Sequence, residues 1–518
     1  MTLSHFATAA ALAVCPVAAA ELQMTWTSTY DHVGQSVEVG RATAFTPDGG
    51  VVVTGQSHGG ASDFDFATVK YSATGEQLWS RRFDGLASRI DFATQVAVDA
   101  QGNIYVAGDS YSGGSYGQGP NYDIVIIKYS PAGAILWTFT YNGPDNLDDN
   151  VYDLIVTSDA LYLGGWTWSR DNLDRFSANG LTAKFDLDGS LLWQQIEKGP
   201  DNNAATVRAI DVDDGGNVYA TGEMYVSYDY GETNYMTVKY DSNGARLWRQ
   251  ERFVSEDPSS GSGSWPLDIT ADSTGAVYVI GRSDYGKPQF DQGVLLKYSP
   301  SGQFLWQVDH GGSDADTFQQ VMTNAAGDVF VLGTFNTEDD FVNADHMMLS
   351  YPAGGALRWK QTFAGTGGSY DGDGVAAFLP SGDIIAGVQD YDAQRHYDYH
   401  LFVYAAEDGA VLEDHALDFG GAEYLYDIAV DPQGRVAVTG RAADADVDGH
   451  SYRTAVLTPE GLGANPGDLN GDGIVNSTDL GALLGAWGPC AMVGPCAADI
   501  DGDGVVGTAD LAALLGSW

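Results

Sequence analysis

From about residue 24 to residue 463 the chain is a succession of short apolar runs rich in β-formers, separated by polar turns carrying Gly, Asp, Asn and Ser. One stretch shows the pattern, with runs at Ala93 to Val98, Ile104 to Gly108, Asp123 to Tyr129 and Ile135 to Tyr141. Each reads as a strand, and the 3.6-residue periodicity of a helical repeat is missing. The pattern then recurs. Lys70-Tyr71-Ser72-Ala73-Thr74-Gly75-Glu76-Gln77-Leu78-Trp79 returns as Lys128 to Trp137, Lys184 to Trp193, Lys239 to Trp248 and Lys297 to Trp306. A weaker copy runs from Tyr351 through Gly355 to Trp359, and a worn one lies around Tyr404 and Gly409. An eighth begins at Leu457 and Gly461 and stops before its Trp. A second phrase, Gly-Asn-Ile-Tyr-Val-Ala-Gly ending at Gly108, alternates with the first and recurs ending at Gly55, Gly165, Gly222, Gly281, Gly333, Gly387 and Gly440. Four strands in a period of about 55 residues predict one propeller blade per repeat.

The two ends of the array complement each other. Met24-Thr25-Trp26-Thr27-Ser28-Thr29-Tyr30 matches the last strand of a blade, Leu136 to Tyr141, while the C-terminal end holds three strands and lacks a fourth. Joining them closes the ring and removes the exposed edges of an open array. The prediction is a mainly β fold: a closed propeller of eight four-stranded blades over residues 21–463, with seven if a worn repeat drops out of the ring. The Lys-Tyr-x-x-x-Gly-x-x-Leu-Trp and Gly-Asn-x-Tyr-Val-x-Gly phrases resemble those of bacterial SBBP (beta-propeller repeat) proteins. That family is named for seven blades and has no single activity, so the resemblance implies fold rather than function. The repeated Trp79, Trp137, Trp193, Trp248 and Trp306 suit packing at the seams between blades, and Lys70, Lys128, Lys184, Lys239 and Lys297 suit seam or rim positions. The tryptophans also resemble the docking repeats of eight-bladed quinoprotein dehydrogenases. Those enzymes use a quinone beside Ca²⁺ and in many cases a vicinal cysteine pair, which is not in this sequence.

Tight turns join first to second and third to fourth strands, so the long connections gather on the opposite face. That face includes 80–93, 111–122, 138–151, 167–178, 224–234, 249–264, 283–291, 335–345, 360–373 and 389–398. Function favours such loops on a rigid scaffold. Tyr111, Tyr116, Tyr122, Trp168, Tyr228, Tyr230, Tyr285, Tyr391 and Tyr397 make this the candidate ligand face, with chemistry suited to a glycan or a peptide. No catalytic residues are assigned. The nine His form no His-Glu-x-x-His helix, and acidic pairs such as Asp371 and Asp373 arise readily among 70 acidic residues.

After Gly461, the segment 464–466 reads as a linker and the pattern changes. Asp468, Asn470, Asp472, the Ile474 carbonyl, Asn476 and Asp479 occupy ligand places of a twelve-residue calcium loop, followed by an apolar helix face of Leu480, Leu483, Leu484 and Trp487. The pattern repeats with Asp499, Asp501, Asp503, the Val505 carbonyl and Asp510, then Leu511, Leu514, Leu515 and Trp518. Both loops close on Asp rather than Glu, and each precedes a single helix. Residues 467–518 resemble a dockerin, of the bacterial variety with a Trp487-Gly488-Pro489-Cys490 turn and a second cysteine, Cys496, between its halves. The resemblance implies two bound Ca²⁺, a cohesin-like protein partner, and recognition positions at Ser477, Thr478, Thr508 and Ala509.

Charge and export complete the picture. Lys and Arg total 24 against 70 acidic residues, a formal charge of −46, with a mean hydropathy of −0.16. This excludes a basic nucleic-acid surface and binding to anionic membranes, and favours divalent cations. Residues 1–20 read as a signal peptide, with an apolar run from Ala9 to Val14 and Ala18-Ala19-Ala20 before Glu21; lipid attachment at Cys15 is the rival reading. No later stretch is apolar enough to span a bilayer. Cys490 and Cys496 then pair as a short-loop disulfide in an exported protein. The expected function is a secreted, cell-surface or complex-associated binding protein, non-catalytic, docked through its tail. The alternatives are a polysaccharide-acting hydrolase or lyase anchored by the tail, and a quinoprotein-like dehydrogenase.

Overall fold

The computed structural model describes residues 21–516 apart from 33–36, 60–62, 86, 88, 114–120, 171–175, 228–231, 255–262, 285–290, 312–315, 337–343, 364–373, 392–396, 444–449, 460–468, 470–474, 476, 490–497 and 499–504. Eight four-stranded antiparallel sheets form the blades. The first contains Glu38–Phe45, Val51–His58, Phe64–Tyr71 and Gln77–Phe83, from the axis outward. The second contains Asp91–Val98, Ile104–Tyr111, Tyr122–Tyr129 and Ile135–Tyr141. The innermost strands of the third to seventh begin at Asp149, Ala209, Ser264, Asp316 and Val375. The eighth combines both ends of the array: Glu423–Val430, Val436–Ala443 and His450–Pro459 receive Leu22–Tyr30 as the outermost strand. Leu22 faces Pro459 and Tyr30 faces Tyr452. The worn repeat stays in the ring as Tyr397–Tyr404 and Val411–Leu417.

Burial explains why the middle strands read as unbroken apolar runs. Ile124, Val125, Ile126 and Ile127 are all buried, since a third strand is covered by the neighbouring blade on each face. Outermost strands alternate exposed with half-buried positions. The strands also run further into the long-connection face than the loop ranges predict. The described residues within 167–178 and 224–234 are strand, because cross-strand pairing continues through Trp168 with Ala178 and Tyr225 with Thr233.

The repeated Trp locks seven of the eight blades to the next, and the repeated Lys joins it at several seams. Trp79 Nε1 donates to the Pro131 carbonyl at 3.0 Å, and Trp26, Trp137, Trp193, Trp248, Trp306 and Trp359 do the same to Ala73, Leu187, Ser242, Pro300, Ala353 and Ala406. Each acceptor lies in the tight turn between third and fourth strands of the following blade. Lys128 and Lys297 Nζ donate to the same carbonyls as the Trp of their own blades, Leu187 and Ala353, each at 2.9 Å. The indole rests on the turn glycine. A Cβ on Gly133 (φ 77°) would stand 2.7 Å from Trp79, so both conformation and contact demand glycine.

Nearer the axis a second belt joins the blades. A β-bulge in the innermost strands turns one residue toward the neighbour. Asp153, Asp268 and Asp427 each accept a backbone N–H of the next blade, from Ile210, Val321 and Thr43 at 2.9, 2.8 and 2.7 Å. Gln320 accepts from the Ala376 N–H and donates to its carbonyl, and Gln95 donates to the Tyr152 carbonyl. The fourth blade has Ala209 at this place, and Asp211, two residues on, accepts from Ala271 instead.

Removing the seam indole by Trp79→Ala is expected to cost about 3 kcal/mol of stability in denaturant titration of the full chain. Gly133→Ala is more damaging with Trp79 present than in the Trp79→Ala background; equal costs would show that indole and glycine do not interact. A second expectation concerns pH. Burial pushes the Asp153 carboxyl up to about 6, and those of Asp268 and Asp427 up to about 7. Unfolded Asp titrates near 3.9, so between about pH 4 and 7 the folded ring holds the more protons and these groups make stability fall as pH rises. Asp268→Asn therefore flattens the dependence of unfolding on pH in that window. Unchanged slopes would show that Asp268 does not titrate there.

Candidate functional site

The C-terminal segment presents two equivalent helices, α1 (Ser477–Gly485) and α2 (Thr508–Gly516). Leu483 and Leu514 meet at the centre of a small core with Ala498 and Val506, flanked by Leu469, Val475, Leu480 and Leu511. A two-residue bridge pairs Gly488 with Val506 and Pro489 with Val505. Each helix carries its loop-closing acid in the first turn. Asp479 is fully buried and accepts the Leu469 N–H at 2.9 Å, and Asp510 is buried and accepts the Gly507 N–H at 2.6 Å. Two buried carboxylates at equivalent helix starts fit the closing ligands of two calcium shells, which want hard oxygen donors. Val505 lies in the bridge strand. Asp468, Asn470, Asp472, Ile474, Asn476, Asp499, Asp501 and Asp503 lie outside the described residues, as do Cys490, Cys496 and Trp518.

The predicted recognition residues Ser477, Thr478, Thr508 and Ala509 are all exposed. The predicted helix core needs correction. Apolar spacing puts Leu484, Leu515 and Trp487 on the buried face, yet they are 53%, 53% and 47% exposed. A nine-residue helix buries one narrow stripe, which Leu483 and Leu514 fill. Leu484 and Leu515 lie seven residues after Ser477 and Thr508, hence on nearly the same helix face. Each half therefore displays a hydroxyl and an apolar side chain on one face, about two turns apart.

On the propeller, Tyr111 and Tyr122 are paired strand ends whose rings meet at 5.5 Å, with Phe92 stacked on Tyr122. Trp168, on the next blade, lies between Trp166 and Phe176. Tyr397 packs on Tyr424 at the seam of the seventh and eighth blades. The structure thus brings Tyr111 and Tyr122 together and leaves Trp168 and Tyr397 in separate clusters. Tyr391 ends a strand, paired with Tyr397. Tyr116, Tyr228, Tyr230 and Tyr285 lie outside the described residues, as do Asp371 and Asp373.

The axial channel was not foreseen. A cavity of about 350 Å³ is lined by Arg208, Gln319, Asp153, Asp268 and Asp427, among others. Arg208 pairs with Glu223 at 2.8 Å and lies over the Tyr152 ring. The available signal was a polar residue 12 or 13 positions before the repeated strand-ending glycine, as in Asp153 before Gly165 and Asp268 before Gly281. Asp153 and Asp268 already accept two backbone N–H groups each, from Leu154 and Ile210 and from Ile269 and Val321. Carboxylates so engaged hold the ring together rather than offering an acid–base pair to a substrate.

Two family descriptions match the sequence: Dockerin type I domain over residues 466–515 and Beta-propeller repeat over residues 78–114. No curated protein matches. Among solved structures, the polysaccharide lyase Uly1 is 10% identical with a TM-score of 0.43, covering 86% of this chain and 98% of its own. The WD40 domain of SCAP from fission yeast is 8% identical with a TM-score of 0.41, covering 84% and 98%. The α-L-arabinofuranosidase arb93a from Fusarium graminearum is 11% identical with a TM-score of 0.37, covering 60% and 93%. At these scores the likenesses bear on neither fold nor function. Dockerin domains bind calcium and cohesin modules in general, and this chain carries one behind an eight-bladed propeller that includes a Beta-propeller repeat.

Proposed function

We propose that the chain is an exported binding protein, with a signal peptide at 1–20, a ligand-displaying propeller at 21–463, a linker at 464–466 and a calcium-dependent docking domain at 467–518. The observation that carries this reading is the paired display on the two helices. Ser477 and Thr478 with Leu484, and Thr508 and Ala509 with Leu515, stand exposed on helices whose first-turn carboxylates are buried. A cohesin-like module is the partner this arrangement suits, since apolar side chains and hydroxyls on one helix face supply both burial and register at an interface. Calcium acts through the fold: so small a module, whose buried core among the described residues is Leu483, Ala498, Val506 and Leu514, gains its stability from bound metal. Among the described residues no helix is long and apolar enough to cross a membrane.

The propeller supplies a rigid platform. Its long-connection face carries the Tyr111–Tyr122 and Trp166–Trp168–Phe176 clusters on adjacent blades, apolar surfaces with polar rims suited to a glycan or peptide.

The test is capture of the full chain by a purified cohesin module in Ca²⁺ and in chelator. Capture in Ca²⁺ alone is expected. Leu484→Asp combined with Leu515→Asp weakens it by about a hundredfold, as loss of interface anchors does, while the number of bound Ca²⁺ stays unchanged. Asp479→Asn with Asp510→Asn loses both. Capture that persists in chelator, or no capture in Ca²⁺, overturns the reading.

A further inference from the structure

We propose that the axial channel binds a carboxylate-bearing sugar, a uronate unit of a glycan, through two Arg–Tyr pairs on its wall. Each innermost strand carries one residue turned to the axis. In the first, third and eighth blades it is the residue at the β-bulge, Arg41, Tyr152 and Tyr426. In the fourth it is Arg208, directly before the strand that opens at Ala209. Leu267, Gln319 and Gly374 hold the same place in the fifth to seventh blades, and with Arg208 they line the cavity of about 350 Å³. Asp153 and Asp427, from the third and eighth blades, line it too, so the cavity lies on the axis rather than in one seam. Its size falls among small-ligand sites, which span about 300–1,000 Å³.

Two Arg residues stand at this place in a chain with 24 basic residues and 70 acidic ones. Arg41 lies 4.7 Å over the Tyr426 ring and Arg208 lies 5.0 Å over the Tyr152 ring, each on the Tyr of the preceding blade. A guanidinium resting on a ring is held in orientation while its N–H edge stays available. Arg41 is exposed and forms no ion pair among the described residues. Glu223 takes Nε and Nη2 of Arg208 at 2.8 and 2.9 Å, which fixes that guanidinium and leaves its Nη1 donors. In so acidic a chain a guanidinium with no carboxylate of its own is suited to one from outside, and the planar groups match in bidentate geometry.

The rest of the wall decides what carries the carboxylate. Leu267 is the one aliphatic side chain at the axial place, so the apolar side chains of a peptide have little to bury against. The Tyr hydroxyls and the Gln319 amide are instead groups that sugar hydroxyls pair with. Charge favours a carboxylate over a phosphate ester, which carries up to two charges, because Asp153, Asp268 and Asp427 border the cavity. Burial pushes Asp153 up to about 6 and Asp268 and Asp427 up to about 7, so at pH 6 the last two are mostly protonated and repel a single charge little. The inference rests on the propeller being a ligand platform, but it puts the ligand in the channel and not on the Tyr111–Tyr122 face.

Full-length protein in Ca²⁺ at pH 6 is titrated by calorimetry with short oligomers of galacturonate, glucuronate and mannuronate, and with their methyl esters. The esters keep the sugar and remove the charge. An acid oligomer is expected to bind, and its ester to bind about tenfold more weakly. Arg41→Gln, at an exposed residue outside the core, weakens the acid by about tenfold and leaves the ester unchanged, a split that a merely structural role would not give. Arg208→Gln acts in the same direction, and if that protein misfolds Arg41→Gln decides. Tyr111→Ala on the loop face leaves binding as it was. Binding that Tyr111→Ala abolishes and Arg41→Gln spares would overturn the channel site and leave the loop-face reading standing. Esters that bind as well as the acids, no binding of any acid oligomer, or preference for a free-acid peptide over the uronates would overturn the inference.

Discussion

The contact on which the ring depends is the indole N–H of one blade meeting a turn carbonyl of the next. A blade is a small sheet with two apolar faces, and it is stable only between neighbours. The Trp contributes area to the seam, and its Nε1 fixes how the two blades are offset. The glycine under the ring lets the turn come close, and its left-handed conformation forms the turn whose carbonyl is the acceptor. The buried Lys then uses the same carbonyl and rests on a Tyr ring, as Lys128 does over Tyr105 at 4.9 Å. One tripartite contact, repeated, sets blade spacing and hence the number of blades that close.

The interlock fails at one place by construction. The eighth blade has no turn between its third and fourth strands, since the two ends of the array meet there. At the position of the repeated Trp the seventh blade has Glu413. Its Oε2 accepts the Leu22 N–H at 2.8 Å and faces His415 Nε2 at 2.7 Å. The change from Trp to Glu thus converts an acceptor-seeking contact into one that receives the free N–H at the start of the closing strand. On the other side, Arg435 bonds Asp431 and reaches the Gly49 carbonyl of the first blade. The worn seventh repeat is therefore worn for a reason that lies in the topology.

Much of this was legible from the repeats. Periodicity alone located the blades, and the mismatch of the two ends revealed their closure, because both follow from local strand patterns. Exposure was less legible. Leu78, Leu136, Leu192, Leu247 and Leu305 precede the repeated Trp and look like core, yet each is about half exposed, since they lie on outermost strands with nothing beyond. Leu484 and Leu515 misled in the same way on helices too short to bury two stripes. The axial Asp and Gln belt was hidden because a bulge, which hydrophobic pattern does not encode, turns those residues toward the next blade. Of the calcium loops, spacing suggests a ligand set, of which the structure describes the loop-closing Asp479 and Asp510, both buried.

The acid excess has a structural logic that runs through all of these sites. With 24 basic residues for 70 acidic ones, most carboxylates that leave the surface have no Lys or Arg to meet. Glu197 takes two of the available guanidiniums, Arg246 and Arg249. Others turn to backbone N–H groups, as the axial Asp residues and Asp91 do, which needs no cation but fixes their geometry to the seams. Glu423, at the seam of the seventh and eighth blades, likewise accepts the Gly421 N–H at 2.9 Å.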